Sequence, residues 1–333
     1  MKTLRKIFYW FAGILAALVI ISYLLPRTYK VERSVAINAR PDIVYGLTSN
    51  FKLWKLWVPW TKAIDSTAVF EMRGEVACLG TSWKWNGKIL GQGEMILTEL
   101  IPEQLVGYKL SFDEGKYQSM GRIIIENKHD SVKVSWLDEG DLGYNPIGRF
   151  MGLFMERMMG PDFEKGLTKL KTVAEVRKDW PVIQEKIWQP QISLIIRDSA
   201  GPQTYGQVFG KAFGELYAYC MSSKINIKGS PFAIYQQWDS ITMKSKMDIG
   251  VPVEKADQGK GRIEIKTFPQ LKVVQVKYFG PYSKTADSYR FLDQYIRETE
   301  LQQDGGPWEI YVTNPATEKD TAKWETIIAF PVK

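Results

Sequence analysis

The first strong pattern along the chain is a run without charge: Ile7 to Leu25 reads IFYWFAGILAALVIISYLL. As a helix at 1.5 Å per residue it spans roughly 28 Å, close to the hydrocarbon thickness of a bilayer. Lys2, Arg5 and Lys6 precede it, Pro26 and Arg27 close it, and Tyr9, Trp10 and Tyr23 suit interfacial positions. The pattern predicts a single membrane-spanning anchor in residues 1–28, with residues 7–25 in the bilayer. A cleaved signal peptide is the alternative, but the run exceeds a usual signal core and no A-x-A site follows. Basic residues flank both ends (Arg27, Lys30, Arg33 and Arg40 on the far side), so orientation is only weakly set. A short basic N-terminus leans the soluble part outward from a bacterial inner membrane.

Alternation follows. Tyr29 to Asn38 reads as a strand, and Arg40-Pro41-Asp42 opens a helix. In NFKLWKLWVPW the spacing puts Trp54, Trp57 and Trp60 on one helical face, with Pro59 as the stop. From Ala68 to Asp138 the segments SWKWNGKI, EMILTEL, LVGYKLSF, GRIIIEN and SVKVSWLD are strand-like and separated by turn residues. His129-Asp130 marks a hairpin turn; Gly87, Gly91 and Gly93 mark bulges; Asp138-Glu139-Asp141 reads as a turn. After Asn145-Pro146 comes a long helix with Phe163, Leu167, Leu170 and Ala174 on one face, which Gly160-Pro161 kinks or divides. The order predicts residues 29–177 to be an antiparallel sheet curled around a long C-terminal helix, with a cavity between them. Residues 178–187, polar and containing Pro181, read as a linker.

The remainder, 188–333, repeats itself. Pro190-Gln191 recurs at Pro269-Gln270 and Gly201-Pro202 at Gly280-Pro281, both offset by 79 (269 − 190; 280 − 201). GSPFAIY from Gly229 recurs as GGPWEIY from Gly305, offset by 76 (305 − 229), and Pro252-Val253 recurs at Pro331-Val332, again 79. One three-residue difference, later regained, explains the series. Copies at about 188–255 and 262–333 each read strand, helix, strand, strand, so an α+β domain with pseudo-two-fold symmetry and a groove between copies is expected.

Two resemblances attach to these residues. VERSVAINARPDIVYGLTSNFKLWKLWVPW, GTSWKWNG, GQGEM, VSWLDEGD and GPDFEKGLTKLK, in order, resemble the polyketide cyclase/START-like superfamily, the helix-grip (SRPBCC) fold. That resemblance implies a fold and leaves the function open among lipid binders, receptors and some enzymes. YFGPYSK, GGPWEIYVTNP and WETIIAFPV resemble the gyrase-inhibitor-like family, the AraC effector-binding domain. It implies a groove for small, often cationic and aromatic compounds, with a buried carboxylate after the Gly-Pro-aromatic turn, which matches Glu309. Relatives that regulate transcription carry a DNA-binding domain, which this chain replaces with the anchor and the helix-grip domain.

Strand alternation puts Glu309, Tyr311 and Thr313 on one face and Trp308 and Ile310 on the other; Ala233, Tyr235 and Gln237 form the matching face of the first copy. The expected ligand site is Glu309, Tyr311 and Tyr235, with Trp308, Trp238, Tyr282 and Trp324 as further candidates and Tyr278 a weaker one. A solvent-exposed Glu309, or one paired with Lys323, is the bland alternative.

Composition narrows the chemistry. The net charge is +7 but its Lys and Arg are dispersed, and no nucleic-acid motif is present, so no nucleic-acid partner is expected. Cys78 and Cys220 lie far apart and read as small buried hydrophobes. His129 is the sole histidine, so a Ser-His-Asp site, a metal site and a cofactor are not expected. The expected function is binding of a hydrophobic, cationic aromatic molecule by a membrane-anchored protein. Hydrolysis of a reactive small molecule with Glu309 as general base is one alternative, with Tyr311 or Tyr235 orienting water. The other is docking of a lipid or protein at the membrane surface through the helix-grip domain.

Overall fold

In the computed structural model, which describes residues 2–129, 131–239 and 241–333, the chain divides after Trp180 into two units. The first begins with α1 (Lys2–Leu24). Its Leu4–Leu24 stretch is long and apolar enough to cross a membrane. Its C-terminal carbonyls are met by a buried cation: Arg149 Nη1 donates to Ser22 O (3.4 Å) and Tyr23 O (3.1 Å), and its Nε to Gly143 O (2.9 Å). The rings of Tyr23 and Tyr144 flank the guanidinium. Helix ends leave such carbonyls without partners, so this contact fixes the end of α1 to the start of the long helix described next.

The remainder of the unit is β1 (Thr28–Ile37), α2 (Pro41–Ser49), α3 (Phe51–Trp54), β2 (Val69–Arg73), β3 (Ser82–Gly87), β4 (Gly91–Ile101), β5 (Leu105–Phe112), β6 (Tyr117–Lys128), β7 (Ser131–Asp141) and α4 (Pro146–Val176). The strands form one antiparallel sheet in the order β1-β7-β6-β5-β4-β3-β2. Alternation drives it at the start of β7, where Val132, Val134 and Trp136 are buried and Lys133 between them faces out. Phe163 of α4 stacks on Trp136 at 4.2 Å, and Trp54, Trp57 and Tyr108 complete a buried aromatic core.

Several details differ from the sequence reading. The helix carrying the tryptophans ends at Trp54; Trp57 reaches the same core from a turn, its Nε1 donating to Leu47 O. α4 runs unbroken through Gly160-Pro161. Arg33 crosses at Gly160, where a Cβ would meet its guanidinium, and pairs with Glu156 and Glu164 on either side. Those contacts hold the helix where proline removes a backbone bond. Asp138-Glu139-Asp141 is not a turn but the end of β7. The β3–β4 pairing is regular from Gly87↔Gly91 to Ser82↔Ile96, and the bulge lies at Leu97/Glu99. Gly93 instead makes room for the ring of Trp85 opposite it. Gly121 does so for Tyr108 and Gly140 for Tyr29. Cys220 is buried and Cys78 only partly so. His129 lies in the turn between β6 and β7; Asp130 is outside the described residues.

The second unit comprises β8 (Gln184–Trp188), β9 (Gln191–Ala200), α5 (Tyr205–Ser222), β10 (Phe232–Asp239), β11 (Lys244–Val253), β12 (Ile263–Phe268), β13 (Leu271–Phe279), α6 (Ala286–Glu298), β14 (Trp308–Tyr311) and β15 (Glu325–Pro331). Its antiparallel sheet has the order β12-β9-β11-β10-β14-β15-β13-β8, which reads the same from either end once the copies are superposed. The two halves meet at β10–β14. Two leading strands were not anticipated. β8, most of which lies in the segment read as linker, pairs with β13 of the second copy, and β12 pairs with β9 of the first. Each copy thus completes the other's edge. One face of the sheet packs under α5 through Leu194, Ile196, Met247 and Ile249. The other closes on strand residues alone, with Phe232, Phe268 and Trp308 at its centre.

Candidate functional site

The pseudo-two-fold axis passes between Ala233 and Glu309, which are paired directly across β10 and β14 and are equivalent at the offset of 76 (309 − 233). The backbone keeps the symmetry: Tyr235 N donates to Pro307 O at 3.0 Å and Tyr311 N to Pro231 O at 2.9 Å. The side chains break it. Glu309 is only 6% exposed. Its Oε2 accepts from Tyr235 Oη (3.0 Å) and Tyr311 Oη (2.9 Å), its Oε1 from Tyr289 Oη (2.7 Å). Lys323 pairs with Asp320 instead, and among the described residues no lysine or arginine forms an ion pair with Glu309.

Burial first, then the charge of Glu309, pushes Tyr235, Tyr289 and Tyr311 far above the ordinary phenol range. All three therefore stay protonated and donate. A carboxylate has about four lone-pair directions, of which three are taken. One lone-pair direction of this buried carboxyl is left without a side-chain donor among the described residues.

An aromatic wall surrounds it. Tyr282, in a single 3-10 turn (Tyr282–Lys284), meets Tyr311 edge-on at 5.3 Å and Trp324 at 5.0 Å. From α5, Phe209 and Phe213 meet Tyr311 at 5.8 and 6.1 Å. Of the residues expected at the site, Glu309, Tyr311, Tyr235, Tyr282 and Trp324 come together. Trp308 does not: it lies on the opposite face between Phe232 (4.9 Å) and Phe268 (4.7 Å), because β14 alternates. Trp238 does not either; the β10–β11 register shifts between Tyr235 and Gln237, and Trp238 is 50% exposed beyond it. Tyr278 folds over Gly280 and donates to Pro281 O. Thr313 lies past the end of β14. Tyr289, Phe209 and Phe213 were missed; VFGKAFG on α5 and DSYRFLD on α6 show them only as parts of an amphipathic stripe.

The first unit holds a cavity of about 640 Å³ between sheet and α4. Phe70, Trp83 and Trp85 line the sheet side, Met151, Met155, Met158 and Met159 line the α4 side, and Trp60 from the turn after α3 donates to Asp162 of α4. Behind its polar corner sits Asp138, fully buried, taking hydrogen bonds from Tyr29 Oη (2.8 Å) and Ser119 Oγ (2.9 Å). Burial pushes its carboxyl up to about 6, against the two hydroxyl bonds that lower it.

Comparison with family models matches residues 28–175 to the polyketide cyclase/dehydrase and lipid transport family and residues 188–333 to the GyrI-like small molecule binding domain. Curated proteins gave no match. Among solved structures, the EcmrR C-terminal domain is 19% identical, with 46% of this chain and 98% of that one covered and a TM-score of 0.43. The Aha1 dimer from Colwellia psychrerythraea is 18% identical, with 45% and 98% covered and a TM-score of 0.32. The di-domain aromatase/cyclase StfQ of steffimycin biosynthesis is 13% identical, with 45% and 51% covered and a TM-score of 0.36.

Proposed function

With a polyketide cyclase-type domain followed by a GyrI-like small molecule binding domain as premise, we propose that this is a membrane-anchored receptor for a hydrophobic aromatic cation, held at Glu309. The observation that carries the reading is a buried carboxylate with three phenol donors and no ion-paired cation among the described residues. A buried charge without a counter-charge is costly. A cationic ligand offsets that cost and gains cation–π contact with the rings of Tyr282, Tyr311 and Trp324. The α1 helix supplies the anchor, as its length and apolar surface allow.

The test is calorimetric titration of the full chain in lipid nanodiscs with biphenylmethyl-trimethylammonium and its uncharged tert-butyl isostere. The cation should bind the wild type at least tenfold more tightly than Glu309→Gln, and the isostere should bind both alike. Equal affinity of the cation for both proteins defeats the reading. A second ligand space is favoured by the apolar cavity of the first unit, which fits a molecule of drug or short-lipid size.

A further inference from the structure

The cavity of the first unit is apolar over most of its lining, yet one corner is chemically specific. Tyr29 and Ser119 line it, and both spend their only side-chain proton on Asp138 behind them. A hydroxyl that donates backward leaves its lone pairs facing forward. The corner therefore offers two acceptor oxygens to the cavity. The arrangement is built by the sheet. Tyr29 and Ser119 both lie opposite Gly140 on the flanking strands, and Asp138 sits two residues earlier on β7, opposite Gly121. With no Cβ at Gly140, the Tyr29 ring lies across the sheet and reaches Asp138.

Charge sharpens the point. Asp113, Asp141 and Asp162 also line the cavity, and each is paired with a base: Lys116, Arg27 and Lys165. Asp138 forms no ion pair with a base among the described residues, although it is fully buried.

Resting on the reading that this cavity takes an apolar ligand, we propose that Tyr29, Ser119 and Asp138 select a ligand whose apolar body carries a hydrogen-bond-donating head, an amine above all. The head donates to Tyr29 Oη and Ser119 Oγ, and its positive charge meets the carboxylate behind them. A ligand with an acceptor-only head receives no hydrogen bond from these two committed hydroxyls, and an anionic head meets the carboxylate behind them.

The experiment uses the full chain in nanodiscs at pH 8, above the carboxyl's displaced range of about 6. The probes share one apolar body: 1-adamantylamine, 1-adamantanol, 1-methoxyadamantane and 1-adamantanecarboxylate, titrated calorimetrically with Glu309→Gln present throughout to silence the other site. The amine should bind at least tenfold more tightly than the methoxy compound, the alcohol should lie between them, and the carboxylate should be weakest. Asp138→Asn should bring the amine to within about threefold of the methoxy compound without weakening the latter. The Tyr29→Phe/Ser119→Ala double variant should give the same loss, which guards against misfolding of a single variant. Binding of all four probes without a head preference, or a preference that survives both variants, overturns the proposal and leaves the apolar cavity intact. Failure of every probe to bind overturns both.

Discussion

Tyr289 donates to Glu309 Oε1 at 2.7 Å, whereas the residue that the pseudo-two-fold axis maps onto it at the offset of 76 is Phe213 (289 − 213). The equivalence is carried by the helix ends: Ser223 N bonds to Tyr219 O as Thr299 N does to Tyr295 O. One hydroxyl on one copy thus separates the charged half of the site from its apolar half. Tyr289→Phe should remove a hydrogen bond to a charged group, worth about 1.5–3 kcal/mol. Urea unfolding of Tyr289→Phe, Glu309→Gln and the double variant checks it. The expected coupling energy is about 1 kcal/mol or more; strict additivity would mean that the contact contributes nothing.

Asp138 gives a pH dependence of definite sign. Its carboxyl sits near 6 when folded and near about 3.9 unfolded. Between those values the unfolded chain holds fewer protons, so stability falls as pH rises from about 4 to about 6 and then levels off. The total is on the order of 3 kcal/mol, since each pKa unit is about 1.4 kcal/mol. Asp138→Asn should flatten this part of the profile, measured by urea midpoints of the full chain at pH 4.5 and 7.5. A variant profile as steep as the wild type would assign the dependence elsewhere.

Gly140 is bound to the placement of Tyr29. A methyl group there collides with the tyrosine ring, and overpacking of this kind costs about 1–3 kcal/mol. Gly140→Ala should therefore destabilise the wild type, and should cost little in a Tyr29→Ala background. Denaturant unfolding of the four proteins decides it.

Arg149 holds the end of α1 through the carbonyls of Ser22 and Tyr23. Arg149→Met should free that junction. Hydrogen bonds to a charged group contribute about 1.5–3 kcal/mol, so tryptic cleavage after Arg27 in nanodiscs should accelerate at least about tenfold if it follows local opening. An unchanged rate would show that Arg27 itself, paired with Asp141, controls access.

The two sites were unequally legible in the sequence. Glu309 was reachable through the resemblance to the gyrase-inhibitor-like family, and Tyr235 and Tyr311 beside it because a duplicated strand has period two and the copies align position by position. Trp308 shares that segment, and its own alternation excludes it. Trp238 escaped because the shift after Tyr235 leaves no mark in residue type. Asp138 was read as part of a turn because DEGD has turn composition, whereas its burial comes from neighbours on β1 and β6 about 109 and 19 residues away in sequence. β8 and β12 were missed for a related reason: QEKIW and IEIKTF become strands by pairing with the opposite copy, and such long-range pairing overrides weak local propensity.

The alanine facing Glu309 across β10 and β14 bears on how such a site can arise. Had each copy been a separate chain, the same fold would be a homodimer, and the residue on its dyad would meet itself. A glutamate there would set two carboxylates directly opposite each other across the central strand pair; an alanine would give no charge at all. Joining the copies into one polypeptide releases that constraint, because each side can then mutate alone. A solitary acid on the axis, with Tyr289 on one flank and Phe213 on the other, is chemistry open to the fused form and closed to a symmetric dimer of the same fold.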